Sequence, residues 1–80
     1  MQNQILVDVR TAEEFSHYHK DNAINISIDN IMSGDFGIIK DMPKDSKIEC
    51  YCQAGGRAEI AKNILNNNGY TNVINIGGLY

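Results

Sequence analysis

The sequence has little cysteine, no cluster of basic residues and no long apolar run, and each absence removes a class of protein. Two cysteines, Cys50 and Cys52, in 80 residues are too few for a disulfide framework. They stand two apart on one face of one predicted strand, an awkward geometry for a bridge. Reduced thiols in a cytoplasmic setting are the simpler expectation. Seven Lys and Arg stand against ten Asp and Glu, a net charge of −3. With no basic patch, general nucleic-acid binding is excluded, and an anionic substrate must be drawn by a local field. No apolar run approaches the ~18 residues of a membrane span, so no membrane partner is expected. Met1-Gln2-Asn3-Gln4 leads straight into a strand-like segment, which predicts no signal peptide; a periplasmic location would require a leader already removed. No repeat, linker or low-complexity tract breaks the chain, so 1–80 reads as one domain. A chain this short buries roughly 60–65% of its unfolded surface, and its 42% hydrophobic content is enough for a single core.

What is present is an alternation of strands and helices. Ile5-Leu6-Val7-Asp8-Val9 is short, apolar and β-branched, as a buried parallel strand should be. Thr11 and Glu14 form a capping box, with Phe15 and Tyr18 expected on one helix face. Asp21-Asn22 is turn chemistry, and Ala23-Ile24-Asn25-Ile26 reads as a second strand. Ser27 can cap a brief helix with Ile28, Ile31 and Met32 facing inward. Residues 33–40 read as irregular or frayed helix, punctuated by Pro43. Lys47 to Tyr51 is the third strand. Arg57 to Asn68 is the best helix, with an apolar stripe of Ile60, Ala61, Ile64 and Leu65 and a stop at Gly69. Val73 to Ile76 is the fourth strand, followed by Gly77-Gly78. This order predicts an α/β fold, a mainly parallel sheet of about four strands flanked by helices on both faces. Ligands in such sheets bind at the carboxyl ends of strands.

Cys52 is predicted to lie at such an end. It opens the stretch Cys52-Gln53-Ala54-Gly55-Gly56-Arg57, and a helix follows at once. A free thiol titrates near ~8.5, so little is thiolate at neutral pH. Backbone N–H groups at a helix start favour negative charge, and Arg57 adds a fixed positive one. Gly55 and Gly56 let the backbone curl with its amides inward. A shift of two units would make most of the thiol reactive, about 2.7 kcal/mol of differential stabilisation. The loop thus offers a nucleophile and an anion socket together, with Gln53, Ala54, Gly55, Gly56 and Arg57 as the binding residues. No side chain reads as a general base, and a depressed pKa makes one unnecessary.

The residues also resemble a family. Asp8-Val9-Arg10-Thr11-x-x-Glu14-Phe15, then His19 before Ala23-Ile24-Asn25-Ile26, then Tyr51-Cys52-x-x-Gly55-x-Arg57, Gly69-Tyr70 and Gly77-Gly78-Leu79 look like a single-domain rhodanese of the small phage-shock type. The resemblance implies a sulfurtransferase. Cys52 would take sulfane sulfur from thiosulfate or a similar donor as a persulfide, then yield it to a thiol or cyanide, with no cofactor. Arg57 would position the donor. Partners would be a small-molecule donor and a thiol acceptor, with a sulfur-relay protein as a further candidate. The alternative is a partner-fed sulfur carrier or binding module. A phosphatase or arsenate reductase of the same fold type is weaker: those relatives place five residues between Cys and Arg, and here there are four. Two departures stand out. Lys20-Asp21-Asn22 replaces an Ile-Pro-Gly turn, with Asn able to take the left-handed conformation that Gly would supply. Gln53 stands where many relatives carry a basic residue.

Other polar residues read as structural. Asp8 and Arg10 are expected to tie the first strand to nearby backbone. His17-x-His19 has no carboxylate or thiol pattern to complete a metal site, so His19 reads as a turn-stabilising hydrogen-bonder and no metal is expected. Cys50 is expected to be an inert core thiol rather than a resolving one, and Tyr70 to be core.

Overall fold

A computed structural model describes residues 4–79. Met1-Gln2-Asn3, read above as leading into the first strand, lie outside the described residues. The elements are β1 (Gln4–Asp8), α1 (Ala12–His17), β2 (Ile24–Asn25), α2 (Ile28–Met32), a 3-10 helix (Gly37–Asp41), β3 (Lys47–Cys52), α3 (Gly56–Asn67) and β4 (Val73–Gly78). The strands form one parallel sheet in the order β2-β1-β3-β4. The expected four-stranded α/β architecture is therefore present.

Strand alternation sorts the side chains. Register pairs Ile5 with Ile48, Ile48 with Val73, and Val7 with Cys50, so these line one face. They join Ile31, Ile39, Ala58, Ala61, Leu65 and Tyr70 in the core. Each fully buried Ile or Leu contributes about 1.5–3 kcal/mol. The opposite face is divided. Its Leu6–Glu49–Ile74 row is only partly covered. Its Asp8–Tyr51 row is fully buried. Asp8 pairs with Arg10 at 2.7 Å, the Arg10 guanidinium also donates to the Tyr18 carbonyl, and Lys20 N donates to the Tyr51 hydroxyl at 2.9 Å. The segment after α1 thus closes this end, although α1 itself buries no residue. The structural role expected of Asp8 and Arg10 is what these bonds perform.

Local signals held where the chemistry is local. Thr11 Oγ1 accepts from Glu14 N at 3.2 Å, and Glu14 Oε1 accepts from Thr11 N at 3.0 Å, a complete capping box. Asn22 has φ 68°, the left-handed turn expected of it. Tyr70 is buried, and its hydroxyl donates to the Ile39 carbonyl. Within residues 33–40, expected to be irregular or frayed helix, the chain from Gly37 tightens into the 3-10 helix Gly37–Asp41 around buried Ile39.

Three side chains depart from expectation. The first helix ends at His17, so Tyr18 is extended and 62% exposed, and Phe15 stacks on His19 instead at 3.7 Å. His19 Nδ1 lies 2.8 Å from the Phe15 carbonyl, consistent with its turn-stabilising part. Ile60 is 47% exposed, because α3 docks through Ala58, Ala61 and Leu65. At about 100° per residue, that stripe points roughly 130° away from Ile60. Small residues at 58 and 61 let the helix sit close to the sheet. Met32 is 63% exposed, because Ile31 faces the core directly and Met32 follows one residue round in the last turn.

Candidate active site

Cys52 is the last residue of β3, and Gly56 begins α3 four residues on. Between them Gly55 serves as the N-cap, with φ 96°. That left-handed conformation suits glycine and turns its amide back on the strand end. Gly55 N donates to Cys52 Sγ at 2.9 Å. Cys52 is 2% exposed, while Gln53, Ala54 and Gly56 are open to solvent. The sulfur therefore lies at the floor of an exposed loop.

Burial by itself pushes the Cys52 thiol up. The backbone N–H groups of Ala58, Ala54, Gly55 and Arg57 oppose this and win, so the thiol is held below its ordinary range. Cys50, two residues earlier in the same strand, has burial without amides. Its thiol is pushed up to about 12. It is a protonated core side chain, as expected.

The Arg57 side chain is committed elsewhere. Its guanidinium holds Glu14 in a fork, Nη1 to Oε1 at 2.7 Å and Nη2 to Oε2 at 3.1 Å. This bonding, with the Thr11 amide added, lowers the Glu14 carboxyl to about 2. The guanidinium expected to position a donor is thus already paired with Glu14. Arg57 acts on Cys52 through its backbone amide, and its paired guanidinium still interacts with the sulfur through its charge.

The carboxyl end of β4 supports the loop from the side. Ala54 bridges to Gly78, and Leu79 N donates to the Gln53 carbonyl at 3.1 Å. A Cβ at position 78 would collide with the Gln53 carbonyl, so glycine is required there. Asn75 Nδ2 donates to the Gly55 carbonyl at 3.0 Å. Sequence reasoning missed two of these parts. Glu14 was legible only as a helix cap, and Asn75 only as a polar residue in a strand. The sole signal for Glu14 was a carboxylate near an arginine loop whose spatial closeness no spacing reveals. A hollow of about 450 Å³, lined by Gln4, Ile5, Leu6 and Asn22, adjoins the amino end of β1, away from Cys52.

The rhodanese-like domain pattern matches residues 1–80. The chain belongs to the rhodanese-like domain family. It is 37% identical over 73 residues to the thiosulfate sulfurtransferase PspE of Escherichia coli, covering 91% of this chain and 68% of that protein. It is also 37% identical over 75 residues to the adenylyltransferase and sulfurtransferase uba4 of Ogataea parapolymorpha, covering 92% of this chain but only 18% of that one. Among solved structures, a rhodanese with anions from E. coli superposes with a TM-score of 0.82 at 34% identity, over 95% of this chain and 87% of that one. In this rhodanese-like domain the candidate nucleophile is the one cysteine that the loop amides surround. Among the described residues, no helix is long and apolar enough to cross a membrane.

Proposed function

We propose that this rhodanese-like domain is a sulfurtransferase that works through a Cys52 persulfide. The single observation that carries this reading is the set of backbone N–H groups converging on Cys52 Sγ, with Gly55 N at 2.9 Å. The Cys52 thiolate attacks the outer sulfur of thiosulfate or a similar donor. A sulfur–sulfur bond forms, the donor's sulfur–sulfur bond breaks, and its electron pair leaves with sulfite. The same amides that stabilise the thiolate stabilise the terminal sulfur anion of the persulfide. In the second half-reaction an acceptor thiolate or cyanide attacks that outer sulfur, and Cys52 returns as thiolate. Gln53, Ala54, Gly55, Gly56 and Arg57 form the walls of the site. Arg57 contributes an amide directly and braces the loop through Glu14. The similarity to PspE, a thiosulfate sulfurtransferase, supports this donor class. The free thiols suit a reducing, cytoplasmic setting.

A second reading is a carrier loaded by another protein. Two observations favour it: the Arg57 charge is already neutralised by Glu14, and Gln53 is uncharged. A dianionic donor then relies mainly on the loop amides. The similar uba4, an adenylyltransferase and sulfurtransferase, joins sulfurtransfer to a second activity within a much longer chain, which supports a relay as well. Intact-protein mass spectrometry after incubation with thiosulfate separates the readings. A gain of one sulfur that maps to Cys52 and is removed by cyanide is the expected result. No gain, in folded protein, overturns the thiosulfate reading and favours the carrier.

A further inference from the structure

Asn75 lies on β4, outside the loop, and its side chain uses all of its polar atoms. Nδ2 donates to the Gly55 carbonyl at 3.0 Å and to Glu59 Oε1 at 3.0 Å. Oδ1 accepts from Gly77 N at 2.8 Å. Two acceptors face the nitrogen and one donor faces the oxygen, so only this orientation of the amide satisfies every partner. The bond to Gly77 is an Asx-type turn that locks the Asn75 side chain. Gly77, so held, has φ 96°, and Gly78 after it bridges to Ala54 of the loop.

The partner Asn75 holds is the pivotal one. Gly55 has φ 96° and, as glycine, has no side chain to keep it there. Its carbonyl is pinned by Asn75 Nδ2 and by Glu59 N, both at 3.0 Å. Its amide hydrogen is pinned on Cys52 Sγ. Rotation at Gly55 would swing that amide off the sulfur and redirect the first amides of α3. One side-chain donor from a neighbouring strand thus fixes the residue on which the cradle turns.

We propose that Asn75 is a positioning residue for Cys52: by anchoring the Gly55 carbonyl it keeps the loop amides aimed at Sγ. The proposal rests on Cys52 being the reactive thiol. It deepens the proposed function without depending on which donor is used.

The test is the pH dependence of Cys52 alkylation by iodoacetamide, with the modified cysteine located by peptide mass mapping. In Asn75→Ala the curve is expected to move to higher pH by about one unit, so that alkylation near neutral pH falls about tenfold. A folded Asn75→Ala protein with the wild-type curve overturns the proposal. Should Asn75→Ala fail to fold, Asn75→Ser carries the same test. A serine oxygen can still accept from Gly77 N in an ST turn but is too short to reach the Gly55 carbonyl. Ile74→Ala, on the opposite face of the same strand, is expected to lower thermal stability and keep the wild-type curve. A shift there equal to that of Asn75→Ala would show that any loosening of β4 suffices, and would also overturn the proposal. Failure of the wild type to gain sulfur from thiosulfate would remove the thiosulfate reading while leaving this alkylation result intact.

Discussion

Cys50 and Cys52 stand two residues apart on β3, both shielded from solvent, yet their surroundings drive the two thiols in opposite directions. At Cys50 the neighbouring amides are spent on the sheet ladder and only burial acts. At Cys52 the strand has ended, and four of the next six residues, Ala54, Gly55, Arg57 and Ala58, turn their N–H groups toward the sulfur. Burial raises a thiol pKa; burial within a ring of donors lowers it. Reactivity here is therefore a property of where the ladder stops.

The sharpest way to break the comparison is to exchange the sulfurs one at a time. Cys52→Ser is expected to reduce persulfide formation from thiosulfate to background, while Cys50→Ala keeps it within a few-fold; intact mass and cyanide-dependent turnover measure both. Equal loss in two folded variants would erase the distinction between the thiols.

Alkaline pH sharpens the comparison without touching the loop. The Cys50 thiol is raised in the folded state from an ordinary 9.0 to about 12. Above 9 the unfolded chain releases this proton and the folded protein does not. Stability therefore falls with rising pH, by about 1.4 kcal/mol per unit, until the folded thiol also ionises. Cys52 has the opposite sign: its folded thiol is depressed, so its contribution is fully present above 9 and is lost as pH falls through its folded value. Urea unfolding of wild type and Cys50→Ala at mildly and strongly alkaline pH checks this. The wild type is expected to lose stability more steeply than the variant, and parallel curves would remove the assignment.

Gly55→Ala tests the cradle itself. A Cβ there would meet Gly77 Cα at 3.6 Å, ordinary contact, so space is not the obstacle. The cost is conformational, about 1–2 kcal/mol for a left-handed residue. The expected outcome is a modest drop in thermal midpoint together with slower Cys52 alkylation near neutral pH, the relaxed loop moving Cys52 toward Cys50.

The smallest effect is expected from Glu14→Gln. The Arg57–Glu14 pair is about one-third exposed on each side, so solvent screening limits it to roughly 0.5–1 kcal/mol. The Glu14 carboxyl is lowered in the folded state from 4.5 to about 2. Its stabilisation is therefore present above 4.5 and is lost as pH falls through 2. Wild type and variant should differ at neutral pH and converge in acid, as followed by chemical denaturation. A gap that persists in acid would assign the difference to packing.

Much of this was legible in the chain because the interactions are local. The Thr11–Glu14 box, the Asn22 turn, the Gly69 stop and the glycine pair beside Cys52 each depend on residues within a few positions of one another. The apolar faces were less legible. Ile60 and Met32 have the hydrophobicity of core residues, but which stripe docks depends on how closely a helix can approach the sheet. Here Ala58 and Ala61 decide it.

By itself, then, the sequence determined the order of elements, the parallel sheet and the placing of Cys52 at a strand end ahead of a helix. Backbone propensity, capping and the period of apolar residues act over a turn or a strand. Only the tertiary structure decided that Arg57 gives its charge to Glu14, 43 residues away, and that Asn75 anchors Gly55 from 20 residues on. The physical reason is that these are single hydrogen bonds across elements. Their partners become neighbours only after the core has packed, and no periodicity along the chain encodes them.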